Sequence, residues 1–258
     1  MGKTQAVWTR LIRSALDALA AVVFAPGCAA CGELLDAPTD GPVCDPCWRS
    51  ILPLTPPLCD ACGDPLPSWR VISLPLSACP RCRRTTRYVD RARAIGEYDG
   101  ALRSIIHAFK YEGRRSLARP LADLMRHRGS CMLADADVVV PVPLHRSRLR
   151  ERGFNQAADL ARHLGLPTVS AVRRVRATAT QTSLPGAQRH RNVRAAFAPA
   201  RRIDHVRGRR VLLVDDVTTT GATLEACARV LKEAGAAEVL ALTAARVVGC
   251  AAMRDKTV

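Results

Sequence analysis

Residues 211–223 read VLLVDDVTTTGAT, an order of side chains that few folds can house. Val211 to Val214 is an all-apolar run too short for a helix and bounded by arginines and acids, so it suits a strand of a parallel sheet covered on both faces. Residues 222–234, ATLEACARVLKEA, are good helix formers with apolar positions at Leu224, Cys227, Val230 and Leu231, Lys232 near the end and Gly235 as a stop signal. The loop between them, Thr218 to Gly221, brings hydroxyls, free backbone N–H groups and the positive end of a helix dipole to one point. Such a point takes an anion, and a phosphate is the natural candidate. Asp215 and Asp216 sit at the carboxyl end of the strand, where open α/β sheets bind ligands. Carboxylates repel a phosphate, so these two are assigned to sugar hydroxyls or to a Mg2+ shared with the ligand. A sugar phosphate with hydroxyls and further phosphates satisfies every group in the stretch. No Walker A loop, G-x-x-x-x-G-K-[ST], occurs.

Eight of the eleven cysteines form four C-x-x-C pairs, Cys28/Cys31, Cys44/Cys47, Cys59/Cys62 and Cys79/Cys82. A two-residue gap lets both thiolates of a tight turn face one ion, and two such turns complete a tetrahedral Zn2+ site. An internal duplication, CAACG then CDPC and CDACG then CPRC, points to sequential pairing. Cys28, Cys31, Cys44 and Cys47 would then hold one ion and Cys59, Cys62, Cys79 and Cys82 the other; a cross-braced arrangement is the alternative. Disulfides are the competing use, and they belong to an oxidising compartment. Residues 26–85 carry many prolines and few apolar runs, so metal would supply much of the folding energy there. Cys131, Cys227 and Cys250 are read as core or surface thiols.

The 258 residues allow one good-sized domain and a small one, and the formal charge of +16 comes from arginine, the lysines being only Lys3, Lys110, Lys232 and Lys256. So basic a chain attracts polyanions, single-stranded DNA among them. The arginines concentrate at 81–93, 146–152 and 189–210; Arg83, Arg84 and Arg87, far in sequence from the threonine loop, are the probes of a DNA track separate from the phosphate site. No apolar stretch is long enough for a membrane span. Residues 1–25 read as an amphipathic helix with Trp8, Leu11, Ala15, Leu19 and Val22 facing a core, in preference to a lipoprotein leader ending at Cys28.

In the middle of the chain, residues 102–125 read as two helices broken at Glu112 and Gly113. Val138 to Val140 form a second buried strand ended by Pro141 and Pro143. HRSRLRER, 145–152, then reads as an arginine-rich loop before a helix over Asn155 to Leu164. A strand emptying into such a loop beside a phosphate site points to a second anion, pyrophosphate, at Pro143, Leu144, His145 and Arg146. Residues 173–197 have no sustained period and suit a mobile loop closing over a charged ligand, with Arg189, Arg191 and Asn192 as its contacts.

Residues 211–223 resemble the phosphoribosyl pyrophosphate (PRPP) motif of type I phosphoribosyltransferases. That resemblance implies that Asp215 and Asp216 meet the ribose hydroxyls, and Thr218, Thr219, Thr220, Gly221 and Thr223 the 5-phosphate. Purine salvage members place an aspartate where this chain has Thr219, which argues against that activity. The order of cysteine pairs, AFKYEGR, PVPLHRSRLRERGFNQ, T-x-x-Q-x-x-L with R-x-R-N, and VLLVDDVTTTGAT is similar to the ComF/GntX family of competence-associated proteins. The resemblance implies an α/β type I phosphoribosyltransferase fold behind a double zinc ribbon. It divides the chain into an N-terminal helix at 1–25, ribbons at 26–87, a transferase-like domain at 88–250 and a tail at 251–258. It also implies PRPP with Mg2+ as ligand, two structural Zn2+, a cytoplasmic setting and the DNA-uptake machinery as partner. Transfer of phosphoribosyl to an acceptor is the first functional reading, and PRPP sensing or DNA handling without turnover the alternative. No general base stands out; Lys110, His107 and His145 are the candidates.

Overall fold

The computed structural model describes Trp8 and residues 26–66, 78–176 and 196–248. Two short helices, α1 (Asp45–Arg49) and α2 (Pro80–Arg84), belong to the cysteine-rich part. After them come β1 (Arg91–Ala94), α3 (Gly100–Tyr111), α4 (Ala118–Arg128), α5 (Ser130–Ala134), β2 (Val138–Pro141), α6 (Arg146–Arg152) and α7 (Gln156–Ala161). The chain continues through β3 (Val172–Arg174), β4 (Phe197–Pro199), β5 (Arg210–Thr218), α8 (Ala222–Glu233) and β6 (Glu238–Arg246). Four strands make one parallel sheet in the order β1-β6-β5-β2, and β3 pairs with β4 antiparallel.

Alternate residues of a strand face opposite sides, and here both sides are covered. Leu212, Val214, Leu240 and Leu242 pack with Ile105, Phe109, Leu121 and Met125 from α3 and α4. Val211, Leu213, Val239 and Ala241 pack with Leu224, Cys227 and Leu231 from α8. Each such fully buried side chain contributes about 1.5–3 kcal/mol of transfer free energy, which is why the run reads as unbroken aliphatics.

Several outward N–H groups at the edges of the sheet are taken by the chain's own backbone. On β1, Ala92 N donates to Ala61 O at 2.9 Å, and just beyond it Glu97 N donates to Leu52 O at 3.1 Å. On β2, Val139 N donates to Pro167 O at 2.9 Å. β2 ends at Pro141, as expected, with the proline as its last paired residue, opposite Val214. Val142 N bonds inward to Val214 O, so by alternation Pro141 N points outward like Val139 N, and no ladder bond is lost.

Four expectations are corrected. The HRSRLRER segment is a helix, α6, capped by His145, whose ring nitrogen accepts from Ser147 N, and closed by Gly153 at φ 75°. Arginine, leucine and glutamate are good helix formers, and the Gly153 stop was present in the sequence. The following helix ends at Ala161, short of Leu164, with Asn155 as its cap. The ends of the 173–197 segment are strands, since Arg174 pairs with Phe197 and Arg173 with Ala198. Trp8 is helical but 64% exposed, so it does not face a core. Arg189, Arg191 and Asn192 lie outside the described residues, as do the other four residues of the N-terminal helix face and Cys250.

Candidate functional site

The duplicated cysteine pattern folds twice in the same way. Gly32 N donates to Cys28 O at 2.9 Å and Gly63 N to Cys59 O at 2.8 Å, with both glycines at positive φ. The second pair of each ribbon opens a short helix, with Cys44 or Cys79 at its N-cap and a proline in its first two positions. Cys28, Cys31, Cys44 and Cys47 gather their sulfurs within 4.8 Å of one another, as do Cys59, Cys62, Cys79 and Cys82. The pairing is therefore sequential, not cross-braced. The contacts Cys31–Cys44 at 3.9 Å and Cys62–Cys79 at 3.7 Å are far too long for a disulfide, whose S–S bond is about 2.05 Å. They match the edges, about 3.8 Å, of a tetrahedron with Zn–S bonds of about 2.3 Å. Backbone N–H groups of Cys44 and Cys79 point at Cys28 Sγ and Cys59 Sγ, at 3.4 and 3.2 Å, as donors to thiolates do. The structure thus holds two four-cysteine sites whose donor set and spacing fit two structural zinc ions.

The second candidate site is at the carboxyl ends of β2 and β5. These strands are parallel neighbours, Pro141 opposite Val214, and Val142 N donates to Val214 O at 2.9 Å. Pro143, Leu144, His145 and Arg146 therefore leave the sheet beside Asp215 and Asp216. β5 extends beyond Val211–Val214 in both directions, to Arg210 and to Thr218, so the acid pair lies within the strand.

The two acids have different surroundings. Asp216 is 7% exposed and pairs with Lys110 of α3, Nζ to Oδ1 2.7 Å. Burial alone would lower the Lys110 pKa; the Asp216 carboxylate outweighs it and the net shift is upward. Asp215 is half-buried, and its Oδ1 accepts from Asp216 N at 2.9 Å. Burial and then the Asp216 charge push its carboxyl up to about 7, against the pull of Lys110 and Arg174. Arg174 leads into the segment that carries Arg189, Arg191 and Asn192, and its guanidinium lies 5.3 Å from the Phe197 ring centroid. Burial and then nearby Arg148 lower the Arg174 pKa. Cys227 is a core thiol, as expected, driven well up by burial and by Asp215.

Beyond the acids, Thr218 is buried, Thr219 and Thr220 are exposed, and Thr223 is half-buried. Gly221 adopts φ 77°, the left-handed region, and begins α8 without a side-chain cap. Among the described residues the backbone N–H groups of Thr219, Thr220 and Gly221 have no hydrogen-bond partner. Ala222 N is met only by Thr220 Oγ1 at 3.4 Å.

The RGFNQ segment is explained by its contacts. Asn155 Nδ2 donates to Val142 O at 3.1 Å, pinning the turn that leads to His145. Phe154 packs on Phe109, and buried Asp159 accepts two bonds from Arg115, at 2.7 and 3.0 Å. AFKYEGR and RGFNQ are thus two halves of one contact. His107 is exposed and its partners are Tyr111 and Glu112, away from the acid pair. Sequence reasoning placed Lys110 only among candidate bases and missed its ion pair with Asp216, because the two are far apart along the chain. Arg87 is also corrected: it ion-pairs with Glu225 in the first turn of α8 at 2.6 Å, so it is close to the threonine loop and unsuitable as a remote DNA probe.

Residues 149–258 match the phosphoribosyl transferase domain family, and residues 19–83 match the double zinc ribbon domain. Competence protein F of Haemophilus influenzae is 32% identical over 207 residues, which cover 76% of this chain and 87% of that protein. The chain belongs to the ComF family of competence proteins. The DNA utilization protein YhgH of Salmonella typhi is 36% identical over 76% of this chain and 87% of its own length. Competence protein ComFC of Bacillus subtilis is 27% identical over 80% of this chain and 85% of its own. In ComF terms the double ribbon spans all eight paired cysteines, and the type I phosphoribosyltransferase fold carries the acid pair and the threonine loop. No helix among the described residues is long and apolar enough to cross a membrane.

Proposed function

We propose that this chain binds PRPP with Mg2+ and transfers its phosphoribosyl group during the use of DNA by the cell. The observation that carries the reading is the parallel pairing of β2 and β5, which sets Pro143–Arg146 and the acid pair side by side at one end of the sheet. Asp215 and Asp216 take the ribose hydroxyls. The N–H groups of Thr219, Thr220 and Gly221, with the hydroxyls of Thr218, Thr220 and Thr223, take the 5-phosphate. Pyrophosphate rests against Pro143, Leu144, His145 and Arg146, with Arg189, Arg191 and Asn192 closing over it. Asp215 and Asp216 are the residues that would hold a Mg2+ brought with the ligand, and the ion would supply positive charge toward the pyrophosphate. In transfer, the C1–oxygen bond to pyrophosphate breaks, both bonding electrons leave with it, and an acceptor adds to the cationic C1. The residues need only position the ribose and stabilise the departing charge.

We take residues 26–87 as the ribbon unit and 88–250 as the transferase unit. Since PRPP is a cytosolic metabolite, the reading sets the protein in the cytoplasm. Calorimetry with PRPP and Mg2+, followed by pyrophosphate release with bases, nucleosides and single-stranded DNA as acceptors, tests it. Binding with release supports transfer, binding without release leaves a sensor, and no binding removes the proposal.

A second reading, contact with single-stranded DNA, is favoured by Arg83 and Arg84, both exposed at the end of α2 in a chain of charge +16. Affinity for a mixed-sequence oligonucleotide that falls steeply with salt, and falls again in Arg83→Ala with Arg84→Ala, supports it. No binding at low salt returns the charge to genome bias plus a pyrophosphate site.

A further inference from the structure

The phosphate loop is anchored at both ends to the second cysteine cluster. At its start, Thr218 lies beside Arg246 in the β5–β6 ladder, and Val247 N donates to Thr218 O at 2.9 Å. The Arg246 side chain, 3% exposed, reaches back to the ribbon, where Nη1 donates to Cys62 O at 2.9 Å and Nε pairs with Asp64. Asp64 is part of the first knuckle of that cluster, its own carbonyl accepting from Cys59 N at 2.7 Å. At the other end of the loop, Glu225 stands in the first turn of α8. One of its oxygens meets Arg87 Nη2 at 2.6 Å, and the other accepts from Tyr88 N at 2.8 Å. The same Arg87 donates from Nη1 to Cys82 Sγ at 3.1 Å.

The two anchors border one small cavity. Arg87, Arg246, Thr218, Thr220, Gly221 and Cys62 share the lining of a cavity of only about 10 Å³, too small for a ligand and barely one water in size. Close-packed groups with two defined ends pass a displacement on, because there is no slack to absorb it. Among the described residues the first cysteine cluster has no comparable link: its Cys28 packs into the core with Leu35, Val43 and Ile51, on the other face of the sheet from α8.

We propose that Arg87 and Arg246 are positioning residues through which metal at Cys59, Cys62, Cys79 and Cys82 sets the affinity of the threonine loop for phosphate. A filled four-thiolate site has a net negative charge, which holds the Arg87 guanidinium at Cys82 while its other nitrogen steadies Glu225. Loss of the metal frees both knuckles of this cluster, that of Cys82 with the Arg87 anchor and that of Cys62 with the Arg246 anchor. Arg87 does not touch the phosphate, and it acts through Glu225 and the start of α8. The inference rests on the reading of Thr218–Thr223 as a phosphate site, but its mechanical half does not.

Two measurements on the zinc-loaded full chain test the proposal: calorimetric affinity for PRPP with Mg2+, and amide exchange over residues 218–224. Arg87→Ala should weaken PRPP binding about ten-fold, the low end for loss of a group that orients a binding shell, and should speed exchange in the loop while α3 stays as in the parent. Arg87→Lys should recover most of both. Glu225→Gln attacks the relay from the far end and should speed loop exchange with both metals retained, which covers the case in which Arg87→Ala does not fold. Parent-like exchange over 218–224 in Arg87→Ala, or in Glu225→Gln where the former does not fold, overturns the proposal. A parent chain that binds no PRPP instead removes the functional reading, and the exchange comparison still decides the linkage.

Discussion

Asp215→Asn should make the protein more stable, and increasingly so as pH rises. The carboxyl is pushed from 3.8 to about 7 by burial and by Asp216. An acid whose folded pKa is raised favours the folded state most at pH below its unfolded value, and that favour is lost as pH rises through the folded value. A shift of about three units sets a ceiling of about 4 kcal/mol above pH 8. Asp215 is half-buried, so solvent recovers part of this, and about 1–2 kcal/mol is expected. Asparagine mimics the neutral acid and keeps the carbonyl oxygen that accepts from Asp216 N. The assay is a set of thermal melts of parent and variant, both zinc-saturated, from pH 5 to pH 8.5. The gain should more than double across that range and reach a few degrees, at about 2–4 °C per kcal/mol for a chain of this size. The same variant should lose PRPP binding, since a carboxylate that burdens the fold is retained for the ligand. A gain that does not change with pH, or a parent that is the more stable at pH 8.5, refutes the reasoning.

Asp216→Asn should behave in the opposite way. It leaves the Lys110 ammonium buried without its partner, which costs about 3–5 kcal/mol and is read as a fall in melting temperature at neutral pH; the expectation that both acids serve only the ligand is sunk if that fall occurs and is supported if it does not. Gly221→Ala meets no atom closer than Thr218 Oγ1 at 4.0 Å, so it should cost only the left-handed backbone strain, about 1–2 kcal/mol, while Gly221→Asn recovers part of it; equal melts for all three exclude a strained loop. Metal analysis of protein purified without chelator should find two Zn2+ per chain and eight cysteines shielded from alkylation, and one ion or none contradicts the two four-cysteine sites.

The parts of the fold visible in the sequence are those set by neighbours along the chain. A strand, a glycine turn and a helix follow one another over residues 211–235, and the CxxC repeats mark two equal knuckle pairs, so both were readable from period and spacing. The site's electrostatics were not. Lys110 reaches Asp216 and Arg87 reaches Glu225 only after the sheet has brought distant segments together, and no periodicity encodes either pair. The α6 helix was missed because charge was weighed above propensity: HRSRLRER looked like an arginine-rich loop for an anion, although its residues favour helix and Gly153 marks its end.

The ribbons also protect the sheet. β1 is an edge strand of four residues, and its outward N–H at Ala92, with that of Glu97 just beyond, is occupied by carbonyls from Ala61 and Leu52 in the cysteine-rich part. A parallel sheet with such an edge uncovered offers a template to another chain. Stripping the metal would therefore do more than loosen a small appendage: it would bare a strand edge over an aliphatic core and turn a folded protein into one prone to self-association. In the loaded protein the N–H groups of Ala92 and Glu97 are already taken, so a partner strand cannot pair with that edge at those two positions.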